Sequence, residues 1–381
     1  MTNRQNMWCH VKFLMGWVKM KEKLFSIGLH KVCSSRKMKQ LVDVFGTARA
    51  AWEAPDNLVR EKVAWKPVEL EEFLSSRRKV SLDQEGEKLA KAGAYVICHG
   101  EADYPANLAH IPGAPTLLYV RGDLSRLKAM AVAVVGTRKA SPYGLGVARQ
   151  LGRELTEAGI WVVSGMARGI DTAAHKGALA AGGTVAVLGC GVDVVYPREN
   201  KSLMEEIIAT GAVVSEIPLG MGPQDWMFPA RNRIISGLTL GTVVVEAEKR
   251  SGALITVDFA LEQGRDVFAV PGPITSSTSQ GPHNLIKQGA KLVGGIEDIL
   301  EELAYDTLFP ERMTRRVETA GSPVSPEEKM VLNLLHEFPL QVDELAQRLQ
   351  LPTQQVLTVL MYLELKGLVQ QLPGQIYQAQ G

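Results

Sequence analysis

Residues 131–165 read AVAVVGTRKASPYGLGVARQLGRELTEAGIWVVSG, and this stretch decides the fold class. It contains an apolar run at 131–135, a helical segment at 146–158 and a second apolar run at 160–163. Both runs are apolar at every position rather than at alternate positions, which is typical of parallel strands covered on both faces. The stretch therefore predicts a strand–helix–strand unit of a parallel sheet.

The same alternation continues towards the C-terminus. Further strands are predicted at residues 184–188, 212–214, 242–245 and 266–270, and helices at residues 172–181, 201–210 and 253–263. Strands that alternate with helices of this length form successive βαβ units. We predict an α/β domain with a doubly wound, mostly parallel sheet.

Segments of different character flank this region. Residues 1–90 show helical spacing of apolar residues and predict a helical domain. A Pro-, Ser- and Gly-rich linker is predicted at 311–325. Residues 326–381 contain three helical segments and two short strand-like pieces, as in a winged helix-turn-helix. The α/β domain is accordingly assigned to residues 91–310.

Composition excludes several classes of protein. The 381 residues are 46% hydrophobic, 22% charged and 6% aromatic, which is incompatible with a disordered or collagen-like chain. The apolar stretch at 8–20 is shorter than the ~18 residues that cross a bilayer and carries two lysines, so we expect neither anchor nor signal peptide. Four cysteines without a CxxC pair exclude a zinc-finger framework. We expect a cytoplasmic protein without a metal site.

The net charge of +1 conceals an uneven distribution. Residues 1–80 hold 16 Lys and Arg against 8 Asp and Glu, residues 81–325 hold 23 against 27, and residues 326–381 hold 3 against 6. The basic N-terminal segment indicates either an anionic partner or solvated helix surfaces, and charge alone does not separate the two.

Loops at the carboxyl ends of the strands are the candidate sites, because ligands of open parallel sheets bind there. The loop after the first strand offers backbone N–H groups, the Thr137 hydroxyl and the cations of Arg138 and Lys139, which suit a phosphate. The next loop contains Gly165 and Gly169, where the backbone can approach a ligand closely. The residues of both loops indicate phosphate binding.

A third cluster and a fourth loop extend this edge. Phe228 offers a ring on which a base can stack, and Arg231 and Arg233 flank Asn232 with two guanidinium groups. Solvated arginines on a surface helix are the alternative. The last loop places the Ser251 hydroxyl at a helix start. Together the four segments predict an extended phosphate-binding rim.

Catalytic signatures are missing from the sequence. The dinucleotide fingerprint would need a glycine where Arg149 stands, and there is no Walker lysine, GxSxG or HExxH motif. Asp171 and His175 have the spacing of a metal pair, but they lack a third ligand, and Asp171 in a first turn suits the helix dipole. We therefore predict a binding protein rather than an enzyme.

Four ordered motifs lie within about residues 93–300. They are SGMARGIDTAAH (164–175), FPARNRIISG (228–237), SGALIT (251–256) and FAVPG (268–272). In this order they resemble the DNA-processing protein A (DprA/Smf) family of bacteria. The linker and winged helix are similar to those of the longer, three-domain members. The resemblance implies an N-terminal SAM or helix-hairpin-helix-like module, whose hairpin would fall at residues 26–31.

The resemblance further implies an extended Rossmann fold without a cofactor. Such a protein binds single-stranded DNA, forms a homodimer and loads the RecA recombinase onto incoming strands in natural transformation. The residues that fall on the family's DNA-binding motifs are Gly136, Thr137, Arg138, Ser164, Gly165, Ala167, Gly169, Phe228, Arg231, Asn232, Arg233, Ser251 and Gly252. Leu285, Ile286 and Leu292 lie in the segment that members use for self-association, although they are equally suited to the core.

Two alternative functions stay open. Nucleotide phosphoribohydrolases with related folds carry a PGGxGTxxE loop; residues 236–246 keep the Gly-Thr pair but lack Pro-Gly-Gly, and Glu246 comes one position late. A nucleotide-sensing transcription regulator would use the winged helix as its DNA reader. The predicted recognition helix at 353–366 has no cation before Lys366, so we expect weak duplex binding and a role in protein contacts.

Overall fold

The structure is a computed structural model that describes residues 22–308, 326–337, 339–349, 351–365, 368–372 and 376–379. The chain divides into two compact units, Met1–Leu303 and Ala304–Gly381. The predicted linker at 311–325 and the first 21 residues lie outside the described residues. The N-terminal helices and the sheet belong to the same unit, and a separate domain ending at residue 90 stays a prediction.

Among the described residues, six helices precede the sheet. They are residues 22–32 (α1), Ser35–Phe45 (α2), Ala48–Glu53 (α3), Asp56–Lys62 (α4), Pro67–Lys79 (α5) and Leu82–Ala92 (α6). Side-chain hydroxyls cap three of them, since Ser34, Thr47 and Ser81 each accept a hydrogen bond from a backbone N–H three residues on. Residues 26–31 lie inside α1, so the structure has no hairpin turn at that position.

The sheet has nine strands among the described residues. They are Tyr95–Cys98 (β1), Leu117–Gly122 (β2), Ala131–Val135 (β3), Trp161–Ser164 (β4), Thr184–Val187 (β5), Ala212–Ser215 (β6), Gly241–Val244 (β7), Asp266–Ala269 (β8) and Lys291–Leu292 (β9). Their order is β1-β2-β6-β5-β4-β3-β7-β8-β9. In this spatial order, every neighbouring pair between β6 and β9 is parallel. At the other end of the sheet, β2 pairs antiparallel with β6, and β1 pairs antiparallel with β2. The predicted doubly wound, mostly parallel sheet is confirmed.

Helices cover both faces of this sheet. They are Ala106–Ala109 (α7), Pro142–Glu157 (α8), Ile170–Ala181 (α9), Lys201–Thr210 (α10), Met227–Gly237 (α11), Gly252–Glu262 (α12), Gln280–Lys287 (α13) and Ile296–Leu308 (α14). Alternate residues of β3 belong to opposite layers: Ala133 packs in the layer of Ile234, and Val134 in the layer of Leu151. An all-apolar strand is the consequence of this two-sided burial.

The chain reverses its direction of travel across the sheet at β3. After β3 it builds β4, β5 and β6 on one side, and then crosses to β7, β8 and β9 on the other. The loops that leave β3 and β7 therefore diverge and open a crevice at the carboxyl ends of the strands. Such a switch point is where ligands of open α/β sheets bind.

Helices α8 and α9 pack in unusually close contact. A Cβ on Gly152 would lie 2.3 Å from the Ala174 carbonyl oxygen, and one on Gly177 would lie 2.0 Å from the Arg149 carbonyl oxygen. Only glycine fits at these two positions, because both neighbours are backbone atoms of the partner helix.

The second unit is a winged helix with its own core. Its described elements are Pro326–Glu337 (α15), Leu340–Gln341 (β10), Val342–Leu349 (α16), Thr353–Leu365 (α17), Val369–Leu372 (β11) and Ile376–Ala379 (β12). The strands are arranged β10-β12-β11, and Leu345, Val356 and Leu360 are fully buried between the helices. Lys366 lies outside the described residues. In the part of the chain that the structure describes, no helix is both long and apolar enough to cross a bilayer.

Candidate nucleic-acid interface

Two adjoining clefts open at the carboxyl edge of the parallel strands. The cleft on the β5 side has a volume of about 480 Å³ and is lined mainly by the loops after β4 and β5. The cleft on the β7 side, about 580 Å³, is lined by the loops after β3 and β7 and by α11. Both clefts share five lining residues, which are Arg138, Ala167, Tyr196, Phe228 and Arg231. The two clefts form one continuous groove.

Three of the shared side chains form a wall between the clefts. The rings of Tyr196 and Phe228 have centroids 5.2 Å apart at an interplanar angle of 34°. The guanidinium carbon of Arg138 lies 5.6 Å from the Phe228 ring centroid, within the range of a cation–π contact. We call Arg138, Tyr196 and Phe228 the dividing wall. It places a cation over the Phe228 ring, which itself packs against the Tyr196 ring.

The loop after β3 is held at the edge by backbone contacts. The Thr137 N–H donates to the Glu246 carbonyl oxygen (2.7 Å), and the Lys139 N–H donates to the Thr137 hydroxyl (3.2 Å). Gly136 is required there, because a Cβ would lie 2.5 Å from Ile170. Arg138 and Lys139 of this turn are both exposed and line the β7-side cleft.

The Glu246 carboxylate fastens this loop to the rest of the sheet edge. It is 3% exposed and accepts hydrogen bonds from the Ser141 N–H (2.9 Å), the Ser141 hydroxyl (2.6 Å) and the Thr278 hydroxyl (3.1 Å). The hydrolase alternative would need this glutamate in the groove. The carboxylate instead has a structural role, and Glu246 does not line either cleft.

The loop after β4 is organised around Asp171. Its carboxylate accepts from the N–H groups of Gly165 (3.2 Å) and Ala167 (3.3 Å). Burial raises the pKa of Asp171, while Arg231 and these two N–H groups act in the opposite direction. Gly169 has φ +76°, and its close approach to the Thr137 carbonyl oxygen leaves no room for a Cβ. Gly165 and Ala167 line the β5-side cleft. Gly169 lines neither cleft and packs against the backbone of Thr137 and Arg138.

Asp171 and His175 do not form a metal pair. The His175 ring is fully buried, and its Nδ1 lies 2.9 Å from the Thr184 hydroxyl, which itself donates to the Val162 carbonyl. His175 Nδ1 is therefore the donor and the ring is neutral, with burial lowering the pKa of His175 to about 3. No group of three or more metal-ligating side chains is present among the described residues.

Arg231 is a buried residue that fixes α11 to the sheet. Its guanidinium donates to the carbonyl oxygens of Gly165 (Nη1, 2.7 Å) and Val187, and its Nε donates to the Asn232 side-chain oxygen (2.9 Å). Burial lowers the pKa of Arg231, while Asp171 raises it. Arg231 is 7% exposed and lies at the floor of both clefts. Its charge can therefore attract an anion in the clefts, but its Nε–H and Nη1–H groups are already used by the protein.

Two other predicted residues point away from the groove. Arg233 forms an ion pair with Glu216 (2.5 Å) and donates to the carbonyl oxygens of Gly113 (3.0 Å) and Ala230 (2.7 Å). It lines neither cleft, because it projects from the opposite side of α11. Ser164 is fully buried, and its hydroxyl donates to the Val134 carbonyl (2.7 Å).

The remaining predicted DNA-binding residues lie in the β7-side cleft. Asn232, Ser251 and Gly252 line it together, and the Asn232 amide donates to the Gly252 carbonyl (3.4 Å). Ser251 caps α12 by accepting from the Ala253 N–H (3.3 Å). The structure thus brings residues from four separate predicted segments to one groove.

Sequence reasoning missed the loop after β5. This loop contributes Tyr196 to the dividing wall, and Arg198 and Glu199 to the β5-side cleft. The available signal was the pair Gly189 and Gly191, which follows the strand predicted at residues 184–188 just as Gly136 and Gly165 follow theirs.

The residues predicted for self-association have different environments. Leu285 is 9% exposed and belongs to the core, and Ile286 packs against that core. Leu292 is 46% exposed on β9, the last strand of the sheet. Of the three, Leu292 is the side chain with a large free surface.

Comparison with family models identifies both units. The model described as DNA recombination-mediator protein A matches residues 95–304. A second model, the DprA winged helix domain, matches residues 315–375. The chain is 39% identical to Protein Smf of Escherichia coli over 325 residues, which are 84% of this chain and 86% of that protein. It is 49% identical to DNA processing protein DprA of Streptococcus pneumoniae over 203 residues, covering 53% and 72% of the two chains.

Solved structures show the same relationship. The X-ray structure of DprA from Streptococcus pneumoniae superposes with a TM-score of 0.65 at 35% identity, over 74% of this chain and 97% of that chain. DNA processing protein A from Helicobacter pylori, whose structure is described in terms of its single-stranded DNA binding mode, gives a TM-score of 0.51 at 28% identity, over 56% and 96%. With both of its units matched in order and its fold shared, the chain belongs to the DprA/Smf family of DNA-processing proteins.

Proposed function

We propose that the chain binds single-stranded DNA along the groove formed by the two clefts, without catalysing a reaction on it. The observation that carries this proposal is the dividing wall, in which the Arg138 cation lies over the Phe228 ring and that ring packs against Tyr196. Stacking faces beside cations are what single strands require, because every base has a π-face and every nucleotide a phosphate.

The groove has the chemistry for sequence-tolerant binding. Arg138 and Lys139 are exposed at its edge and can neutralise phosphates, while the aromatic rings accept any base. Such contacts do not distinguish base edges, so we expect little sequence preference. The affinity should fall steeply with salt, because each neutralised phosphate releases counterions. The single-stranded DNA binding of the Helicobacter pylori relative supports this function.

The wider role proposed for the chain follows from its family. We infer that it protects incoming strands and loads RecA onto them during natural transformation, as a cytoplasmic homodimer. A dimer would place two grooves on one strand and raise avidity. Exposed Leu292 on β9 is the best of the three candidate contacts for such a dimer. Removing its side chain in Leu292→Ala and measuring mass by light scattering tests this point.

Fluorescence anisotropy with labelled oligo-dT tests strand binding. We expect Arg138→Ala to weaken binding by about tenfold, and the slope of log affinity against log salt to become shallower by about 0.7, the value for one phosphate on a single strand. Arg153→Ala is the matched control, because Arg153 is an exposed arginine of α8 paired with Glu157 outside the groove. Absence of binding by the unaltered chain, or equal losses in both variants, would contradict the proposal.

A further inference from the structure

We propose that Arg168 is a second phosphate ligand of the groove and that Glu199 restrains strand binding by competing for it. This inference rests on the proposed binding of single-stranded DNA. It assigns a subsite to the β5-side cleft, on the far side of the dividing wall from Lys139. It also assigns an opposing role to the Glu199 carboxylate within that subsite.

Arg168 and Glu199 contact each other at the β5-side cleft. Arg168 belongs to the loop after β4 and Glu199 to the turn after β5, and both line the cleft. The Arg168 Nε forms an ion pair with the Glu199 carboxylate. Asn200 holds the two loops at this spacing, because its amide donates to the Met166 carbonyl and to the Thr172 hydroxyl, both at 2.9 Å.

The charges around this cleft favour an anion. Arg138, Arg168 and Arg198 line it with exposed guanidinium groups, and Arg231 lies at its floor. Among the described residues that line it, Glu199 is the one acidic side chain. The Glu199 carboxylate therefore occupies the donors of Arg168 that a phosphate in this cleft would otherwise use.

The pair is suited to exchange. The side chains of Arg168 and Glu199 are 66% and 49% exposed, and ion pairs that open to water contribute little to stability. A guanidinium has five N–H donors and can hold a phosphate with two of them. An arriving phosphate can thus replace the carboxylate on Arg168, but only by breaking the ion pair between Arg168 and Glu199.

Anisotropy titration with labelled oligo-dT on the full chain tests this competition. We expect Glu199→Gln to bind the strand about three- to tenfold more tightly at low salt, with the gain shrinking as salt screens the charges. Arg168→Ala should weaken binding. In the double variant, the gain from Glu199→Gln should disappear, because the ligand that the carboxylate masks is gone.

The Arg153–Glu157 pair provides a matched control on α8, with side-chain exposures of 53% and 57%. Glu157→Gln makes the same change in net charge outside the groove and should leave affinity unchanged. Equal affinities of Glu199→Gln and Glu157→Gln, or a gain that persists without Arg168, would overturn the inference while strand binding stands. Failure of the unaltered chain to bind the strand would overturn the proposed function and this inference together.

Discussion

Arg138 and Arg231 both line the groove, yet their side chains differ in what their removal would cost. Arg231 is buried and satisfies two backbone carbonyl oxygens, those of Gly165 and Val187. Replacing it leaves these acceptors unpaired and Asp171 without its nearest positive charge. Arg138 is exposed, and its guanidinium group lies over the Phe228 ring. Arg231 is therefore a structural arginine, whereas Arg138 is accessible to a ligand.

We expect Arg231→Met to lower the free energy of unfolding by about 3 kcal/mol, because a buried charged network loses one partner. Arg138→Ala should change it by less than about 0.5 kcal/mol, as is usual for exposed side chains. Urea unfolding of both variants, followed by circular dichroism, measures the difference. Similar unfolding midpoints would show that the Arg231 network is not needed for stability.

His175 should make the fold sensitive to mild acid. Its pKa is about 3 in the folded chain because of burial, against about 6.5 when exposed. The unfolded chain therefore binds a proton that the folded chain does not, so this contribution is lost as pH falls from about 6.5 towards 3. At pH 5 the loss is about 2 kcal/mol.

The His175→Asn variant isolates this effect. We expect the urea midpoint of the unaltered chain to fall between pH 7.5 and pH 5 by more than that of the variant, because asparagine takes up no proton. Other groups, including buried His30, titrate in both proteins and cancel in the comparison. Parallel pH profiles would mean that the ring is protonated in the folded state.

At this scale the sequence showed which residues cluster but not which way they point. Arg231 and Arg233 are two positions apart on α11 and therefore project to different sides of the helix. The partner that orients Arg233 is Glu216, which comes from the end of β6 and has no spacing relation to the motif. Side-chain type predicted a cluster of cations, whereas tertiary contacts determine that Arg231 lines the clefts and Arg233 does not.

At the scale of elements, two glycines of α8 should respond oppositely to the same substitution. Gly152→Ala places a Cβ 2.3 Å from the Ala174 carbonyl oxygen and must push α9 away. We expect a loss of about 1–3 kcal/mol, as for other overpacked sites. Gly146→Ala adds a Cβ where no atom lies within 4 Å, and should stabilise the helix by about 0.5–1 kcal/mol. Thermal unfolding measures both, and a destabilised Gly146→Ala would contradict the packing argument.

The strands of the central parallel sheet were predictable, and the outer strands of the sheet were not. The strand predicted at 131–135 coincides with β3, and those at 184–188 and 266–270 differ from β5 and β8 by one residue. The edge strands β1 and β9, and β2 next to β1, were missed. They are antiparallel or only two residues long, and their pairing depends on partners far along the chain, such as Val120 with Val214.

At the scale of the whole molecule, single-stranded DNA should be the preferred form of nucleic acid. The second unit has its own core, and residues 326–381 hold 3 basic against 6 acidic residues. Duplex affinity comes mainly from neutralising phosphates, so we expect the fragment 304–381 to bind duplex DNA about tenfold or more weakly than the full chain binds oligo-dT. A mobility-shift titration measures both, and tight duplex binding by the fragment would contradict this expectation.

The dividing wall has a consequence for the shape of the bound strand. If a strand crosses from one cleft to the other as proposed, the rings of Tyr196 and Phe228 would lie between two of its bases that otherwise stack on each other. Hairpins need uninterrupted runs of stacked base pairs. The same nucleotides therefore cannot form a hairpin and bind in the groove at the same time. Occupancy would therefore unfold weak hairpins by mass action, and leave behind an extended template on which a complementary strand can be sought.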